Sequence, residues 1–191
     1  MQKSIMFIGN GPIDYTKKNG EFIDSCDLVV RFNKCVLNDD YKDYIGSKTD
    51  IHVMNRHKVD DFTLQNYSSN KFFICGSIDK AKFFKFLRKY IKNDSFSNST
   101  FLCKGFYKKM IKRINYKSKK KLSAGLIMMY YVLNNENLKD YKIYISNFTH
   151  NADHYYEKCK SYRIKYYSTH NWNFEKNYFK ELINENKISV L

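Results

Sequence analysis

The sequence predicts an α/β sandwich with a largely parallel central sheet. Short apolar runs of strand length alternate with longer segments whose apolar residues recur at helical spacing. Alternation of this kind is typical of units in which successive strands run parallel and helices cover the sheet. The predicted strands are 5–8, 28–32, 51–54, 72–75 and 143–145, and the predicted helices are 80–91, 126–133 and 172–183. Residues 93–99 predict a loop, and the basic run after them predicts a mobile loop or a solvated helix face.

Size and composition favour one folded domain, residues 1–191. Hydrophobic residues make up 43% of the chain and aromatic residues 17%, with a single Pro and seven Gly, which excludes a disordered or linker-rich protein. No apolar run approaches the ~18 residues of a membrane span. Five Cys without a Cys-x-x-Cys pair favour a reducing compartment. We therefore expect a soluble cytoplasmic protein that associates at most peripherally with the inner membrane.

The net charge of +15 implies an anionic partner. Nucleic acid, an anionic membrane surface and a negatively charged small substrate would each fit this charge. The densest cationic segment is 104–121. A nucleic-acid-binding surface interleaves basic residues with stacking aromatics, whereas many aromatics of this chain lie at core-periodic positions. We expect no nucleic-acid partner, and peripheral contact of the basic segment with an anionic membrane.

Polar and glycine residues follow the predicted strands where each strand ends. Gly9, Asn10 and Gly11 follow the first strand, and Asn33 ends the second. Asn147 and Phe148 follow the strand at 143–145. Ligands of parallel sheets bind at this edge, where glycine lets a backbone approach closely and Asn offers a donor and an acceptor. An ordinary turn would explain Gly9 to Gly11 equally well, and no third glycine completes a dinucleotide-binding signature.

Two further segments carry candidate chemistry. Ser123, Ala124 and Gly125 begin a helix, and free backbone N–H groups make such a helix end a natural anion site. Many helices begin with Ser, so this pattern is weak alone. His154 and His170 could each act as a general base or a phosphate donor. His150 and His154 are four residues apart and could share a metal, but no His-Glu-x-x-His pattern accompanies them, and we predict no metal site.

Taken in order, these segments resemble the sialylmotifs of the animal-type sialyltransferases, glycosyltransferase family 29. Residues 9–33 resemble the large motif, with its Gly-Asn, Gly-x-x-Ile-Asp and Arg-x-Asn elements, and 45–54 resemble its tail. Residues 123–125 resemble the small motif, although Ala124 stands where the family has Thr. Residues 154–157 are similar to the third motif, and His170 with Glu175 matches the very small motif. The order and number of matches indicate a short, bacterial-type, soluble member.

The resemblance implies a GT-A-like, Rossmann-like fold and a metal-independent, inverting reaction. Sialic acid would pass from CMP-sialic acid to a glycan hydroxyl, on a surface glycolipid or capsule oligosaccharide, without a cofactor. It places His170 as the base and His154 at the departing phosphate, and it expects Glu157 and Glu175 to orient loops or histidines. The residues it implies at the donor are Gly9, Asn10, Gly11, Asn33, Ser123, Ala124, Gly125, Asn147 and Phe148. The alternative is a transferase of another CMP-linked acid, Kdo or pseudaminic acid; a nucleic-acid-binding module is less favoured.

Animal members join the large and small motifs by a disulfide, but no Cys precedes Gly9 in this sequence. This difference fits the expected cytoplasmic location.

Overall fold

The computed structural model describes residues 2–33, 35–55, 71–75, 100–102, 104–150 and 170–191. In these ranges the strands are β1 (Ser4–Ile8), β2 (Leu28–Phe32), β3 (Ile51–Asn55), β4 (Lys71–Cys75), β5 (Thr100–Leu102), β6 (Lys142–Ser146) and β7 (Ser189–Val190). The helices are α1 (Gly20–Ser25), α2 (Asp39–Ile45), α3 (Lys104–Arg113), α4 (Ala124–Leu133) and α5 (Trp172–Asn184). None of these helices is long and apolar enough to cross a membrane.

The strands form one sheet in the order β5-β4-β3-β2-β1-β6-β7, and every neighbouring pair is parallel. From β1 the chain moves outward to β5 and then returns to the other side of β1 at β6. This Rossmann-like arrangement confirms the predicted α/β fold. Its order reverses between β1 and β6, and ligands of open parallel sheets bind in the crevice beyond the carboxyl ends at such a point.

The central strand β1 has a buried face on each side of the sheet. Ile5 and Phe7 belong to the core cluster that α3, α4 and α5 cover, whereas Met6 and Ile8 belong to the cluster under α1 and α2. Successive side chains of a strand point to opposite faces, so a continuous apolar run fits a strand covered on both sides. The sheet is therefore the middle of three layers.

The predicted strands at 5–8, 28–32, 51–54, 72–75 and 143–145 are confirmed to within one residue at each end. The predicted helices at 126–133 and 172–183 are confirmed as α4 and α5. Of the two expectations for the basic run, a loop or a solvated helix face, the helix is correct for 104–113, which forms α3. Met110 is fully buried there and Phe106 packs against Tyr130, so one apolar face holds the helix to the core. The predicted helix 80–91 and the loop 93–99 lie outside the described residues.

Charged residues of α1 and β2 bind the backbone at the end of α2 and just after it. The Asp24 carboxylate accepts hydrogen bonds from the backbone N–H groups of Ser47 and Lys48, each at 2.9 Å. The Arg31 guanidinium, 1% exposed, donates to the carbonyls of Lys48 and Ile45 at 3.0 and 2.6 Å. Asp24 and Arg31 therefore stabilise the turn between α2 and β3.

Candidate active site

The loops after β1 and β6 are held together by their backbones. The Gly9 N–H donates to the Ser146 carbonyl at 2.8 Å, and the Gly11 N–H donates to the Asn147 carbonyl at 2.9 Å. A Cβ atom on Gly11 would lie 2.6 Å from that same carbonyl oxygen, and one on Gly9 would be closer still. Both glycines are therefore required by the approach of the two loops, and their contact with a ligand stays a prediction.

Asn10 and Asn33 lie at the carboxyl ends of adjacent strands, as predicted. The Asn10 side-chain amide donates to the Phe32 carbonyl at 2.8 Å and so joins the end of β1 to the end of β2. Asn33 adopts a left-handed backbone conformation with φ of 49°, and its N–H donates to the Val53 carbonyl at 2.8 Å. Its carbonyl accepts a hydrogen bond from Nε2 of His52 at 2.6 Å. This histidine was assigned no role from the sequence, yet its fully buried ring fixes the Asn33 turn.

Burial keeps His52 neutral. Loss of water lowers the pKa of its imidazole to about 4, and the nearby Arg31 charge acts in the same direction against the effect of the hydrogen bond to Asn33. An uncharged donor therefore holds the end of β2 at neutral pH.

Asn147 and Phe148 connect the crevice to the helical layer. Asn147 has φ of 59°, and its side-chain amide donates to the Pro12 carbonyl at 3.1 Å. The Phe148 ring meets Phe32 edge-on at 5.7 Å between centroids and stacks on Phe179 at 5.3 Å. The ring also abuts Gly125, where a Cβ atom would lie 2.7 Å from the Phe148 Cε1. The Phe148 ring thus packs between the loop after β6 and the start of α4.

The start of α4 presents backbone donors, as predicted. Ser123 is its N-cap, and the Ser123 hydroxyl accepts a hydrogen bond from the Leu126 N–H at 3.2 Å. The N–H groups of Ala124 and Gly125 occupy the first two helical positions and have no intrahelical acceptor. Together with the helix dipole, two such donors can bind an anion. Because the donors belong to the backbone, Ala124 supplies its N–H as well as Thr would.

Glu175 joins the starts of α4 and α5. Its carboxylate accepts hydrogen bonds from the Ser123 N–H at 2.7 Å and from the Ser123 hydroxyl at 2.5 Å. Only 1% of the residue is exposed, and this burial raises its pKa to about 7 against the lowering effect of the two hydrogen bonds. Glu175 is therefore placed to orient Ser123, the N-cap of α4.

His170 precedes α5 and pairs with the segment that precedes α4. It forms an isolated parallel β-bridge with Lys121, and its Nδ1 lies 3.1 Å from the Lys121 carbonyl oxygen. A carbonyl only accepts, so Nδ1 carries the proton and Nε2 of the neutral ring carries the lone pair. Burial lowers the pKa of His170 from its ordinary value, against the effect of the hydrogen bond. The ring is thus held as a neutral base at physiological pH.

Trp172 is a residue of this site that the sequence reasoning missed. Its ring lies 4.9 Å from that of His170 between centroids. Its indole Nε1 is buried, and no hydrogen-bond partner contacts that atom in the described part of the chain. A buried donor without a partner costs free energy, so this N–H is a candidate contact for substrate. The only signal was the position of the single Trp, two residues after His170.

Of the other two histidines named above, the structure describes His150 but not His154. His150 is half-buried, with its ring 4.7 Å from that of Phe179 between centroids, and burial lowers its pKa to about 4. His154 and Glu157 lie outside the described residues. Among the residues that are described, no group of three or more His, Cys, Asp or Glu side chains is placed to hold a metal ion.

A groove of about 800 Å³ opens between α3, α4 and α5, away from these loops. Tyr130 and Tyr178 are among its lining residues. Two lining cations already have carboxylate partners, because Lys139 pairs with Glu136 and Lys187 with Glu185. The third lining cation, Arg113, has no carboxylate partner among the described residues.

Comparisons with known proteins agree with this architecture. The profile of glycosyltransferase family 29 (sialyltransferase) matches residues 3–147. The match includes the β1 loop, the start of α4 and Asn147, and ends before His154 and His170. No curated protein sequence matches the chain.

Two solved structures resemble the whole chain. One is a mammalian sialyltransferase, with a TM-score of 0.73 and 18% identity over 100% of this chain and 69% of that one. The other is a mammalian sialyltransferase in complex with Gal-beta-1-3GalNAc-ortho-nitrophenol, with a TM-score of 0.72 and the same identity and coverage. At this identity the likeness supports the fold, whereas the profile match over most of the sequence identifies the family. The chain belongs to glycosyltransferase family 29, the sialyltransferases.

Proposed function

We propose that the chain transfers sialic acid from CMP-sialic acid to a glycan hydroxyl, with inversion at the anomeric carbon. The observation that carries this proposal is the pair of hydrogen bonds between Ser123 and Glu175. These bonds join the segment that holds the neutral His170 to the start of α4, which presents backbone N–H donors. A proton acceptor and an anion site are the two functions that such a transfer needs. Both lie on elements that begin at the carboxyl edge of the sheet, where Phe148 contacts Gly125.

His170 takes the proton in this mechanism. The acceptor oxygen forms the new bond to the anomeric carbon while its proton passes to Nε2, which keeps its lone pair because Nδ1–H donates to Lys121. A general base of this kind contributes roughly a hundred- to ten-thousand-fold. Attack from the face opposite the leaving group inverts the configuration.

The start of α4 stabilises the leaving group. As the bond from the anomeric carbon to the phosphate oxygen breaks, the electron pair leaves with CMP. The N–H groups of Ala124 and Gly125 donate to the phosphate, and one such donor is typically worth about 3 kcal/mol of barrier. His154 would add a hydrogen bond on the same side, and Asn10 and Asn33 would hold ribose and phosphate from the β1–β2 edge.

Donor identity is tested by assaying hydrolysis and transfer in parallel with CMP-sialic acid, CMP-Kdo and CMP-pseudaminic acid. Gal-β-1,3-GalNAc is the first acceptor to offer, because a mammalian structure that resembles this chain holds it. We expect CMP-sialic acid to be used at least tenfold faster than the others. A preference for CMP-Kdo or CMP-pseudaminic acid would establish the alternative transferase instead.

We also propose that the reaction needs no metal. Backbone donors at the start of α4 and a histidine supply both functions of the mechanism, so the proposed reaction calls for no Lewis acid. Activity should persist in excess EDTA. Loss of activity that added Mg²⁺ or Mn²⁺ restores would contradict this part of the proposal.

A further inference from the structure

The cationic residues of α3 and of the loop that follows it form a continuous segment, 104–121, which we call the basic surface. It holds nine of the 34 cationic side chains of the protein and none of the 19 carboxylates. All nine are exposed: Lys104, Lys108, Lys109, Lys112, Arg113, Lys117, Lys119, Lys120 and Lys121. Among the described residues no carboxylate forms an ion pair with any of them. Their charge is therefore available to an external partner.

The basic surface is held in place by the protein. Phe106 packs edge-on against Tyr130 and Tyr131, with centroid distances of 5.9 and 6.0 Å. In the loop, the buried Tyr116 donates its hydroxyl hydrogen to the Lys120 carbonyl at 2.8 Å, and the Leu122 N–H donates to the Tyr107 hydroxyl at 3.4 Å. The aromatic rings point inward and the cations outward.

We infer that the basic surface docks the protein on an anionic lipid bilayer. Every exposed residue of the segment is polar, charged or glycine, so no apolar side chain is offered for insertion. Nor does it expose an aromatic ring on which a base could stack, as single-stranded nucleic acid requires. A planar array of negative head groups attracts juxtaposed Lys and Arg side chains without needing either feature.

The same surface borders the candidate active site. Its last residue, Lys121, pairs through its backbone with His170, and Ser123 follows two residues later. Docking would therefore hold the proposed base close to the membrane, where a lipid-linked glycan presents its hydroxyls. This consequence rests on the proposed function, whereas docking itself does not.

The test is co-sedimentation with neutral phosphatidylcholine vesicles and with vesicles containing 30% phosphatidylglycerol. The protein should bind only the anionic vesicles and be released by about half-molar salt, because screening shortens the reach of surface charges from about 8 Å at physiological ionic strength. Binding to neutral vesicles, or binding that survives this salt, would overturn the proposal.

Two charge-matched variants localise the effect. The surface variant combines Lys108→Gln, Lys112→Gln, Lys117→Gln and Lys119→Gln, and the control combines Lys3→Gln, Lys17→Gln, Lys42→Gln and Lys142→Gln. The control residues are exposed and lie at the starts of β1 and β6, after β1 and on α2. Each cation that is removed from a docking surface lowers the partition coefficient of the protein onto anionic vesicles about fivefold. We expect the surface variant to bind at least about a hundredfold more weakly, and the control less than about fivefold.

Equal losses in the two variants would show that net charge alone acts and would overturn the docking surface. A duplex oligonucleotide that displaces the protein from vesicles at equal phosphate concentration would identify a nucleic-acid surface instead. Thermal unfolding of both variants should stay close to that of the wild type, since all eight side chains are exposed and none forms an ion pair within the described residues.

Activity separates docking from catalysis. The surface variant should lose transfer to a vesicle-anchored acceptor while keeping transfer to a soluble one. If the wild type transfers to neither acceptor, the proposed function fails while the vesicle result stands on its own.

Discussion

The buried carboxylate of Glu175 accepts two hydrogen bonds from Ser123, 52 residues earlier in the chain. The pair fixes the start of α5 to the start of α4 and places a carboxylate near the anion site proposed at Ala124 and Gly125. A charged Glu175 would repel a phosphate there, whereas a protonated one would not. Because burial raises its pKa to about 7, a part of the population is protonated at neutral pH.

Replacement of Glu175 should reveal the cost of its burial. A pKa of about 7 in the folded state, against an ordinary 4.5, stabilises the fold fully below pH 4.5, and this stabilisation is lost as the pH rises through 7. Glu175→Gln keeps an acceptor for the Ser123 N–H and has no charge to bury. Relative to wild type it should gain up to about 3 kcal/mol of unfolding free energy between pH 5 and pH 8.

Urea unfolding at several pH values measures this difference. Glu175→Ala is the control for side-chain loss, and it should destabilise by about 2–4 kcal/mol because it leaves a cavity and an unsatisfied N–H. If wild type and Glu175→Gln differ in unfolding free energy by the same amount at pH 5 and at pH 8, the carboxyl of Glu175 has an ordinary pKa in the folded protein.

His170→Ala should lower turnover at least about a hundredfold while leaving CMP affinity nearly unchanged. The reason is that Nε2 is the proposed proton acceptor, while the phosphate donors lie on α4. In the wild type, the pKa that governs the acid limb of the pH–rate profile should lie below the ordinary histidine value, since burial lowers the pKa of His170. Steady-state kinetics and calorimetric titration with CMP measure the two effects.

His150→Gln is the matched control, because His150 is also half-buried and packs on Phe179. It should retain turnover within about tenfold of wild type. A His170→Ala enzyme that does the same would remove His170 from the role of base.

Much of the fold could be predicted because its causes are local in the sequence. The apolar run at β1 is continuous, as a strand covered on both faces requires, and β2 and β3 are each interrupted by one buried polar residue, Arg31 and His52. The three-residue β5 and the two-residue β7 were not predicted, since such short pairs depend on a neighbouring strand rather than on their own pattern. Helix α3 was obscured by its charges, although its apolar residues recur at helical spacing.

The site was predictable in position but not in its contacts. Strand ends at Asn10, Asn33 and Asn147 follow from the strand assignments, because parallel strands end at one edge. The Ser123–Glu175 bond joins residues far apart in sequence, and no local pattern specifies such a pair. The same holds for Gly11, whose need for glycine comes from the Asn147 carbonyl rather than from its own turn.

Gly125→Ala should destabilise the protein, although Gly-to-Ala changes in exposed helices stabilise by about 1 kcal/mol. The new Cβ would lie 2.7 Å from the Phe148 ring, which is already packed against Phe32 and Phe179. Displacement of that ring should cost about 1–3 kcal/mol and should also weaken CMP binding.

Thermal unfolding and CMP titration measure both effects. Ala124→Ser at the neighbouring position keeps the backbone donor and serves as the control, with nearly unchanged CMP affinity expected. A Gly125→Ala protein that is more stable than wild type would show that Phe148 is not confined as described.

His52→Gln should expose a pH dependence that opposes that of Glu175. His52 is fully buried and its pKa is lowered to about 4 by burial, so its contribution to stability is present above pH 6.5 and is lost as the pH falls through 4. Glu175 contributes the reverse slope between pH 4.5 and 7. Burial also lowers the pKa values of His150 and His170, which add the same slope to every variant, so each variant is compared with wild type.

Gln at position 52 still offers a donor to the Asn33 carbonyl. Its unfolding free energy relative to wild type should fall by about 2 kcal/mol from pH 5 to pH 8. With Gln at position 175 the same difference should rise by up to about 3 kcal/mol. In the double variant the two opposite changes should nearly cancel. Urea unfolding of the four proteins over this range forms a complete cycle, and single variants with the same slope as wild type would refute the assignment of opposing buried groups.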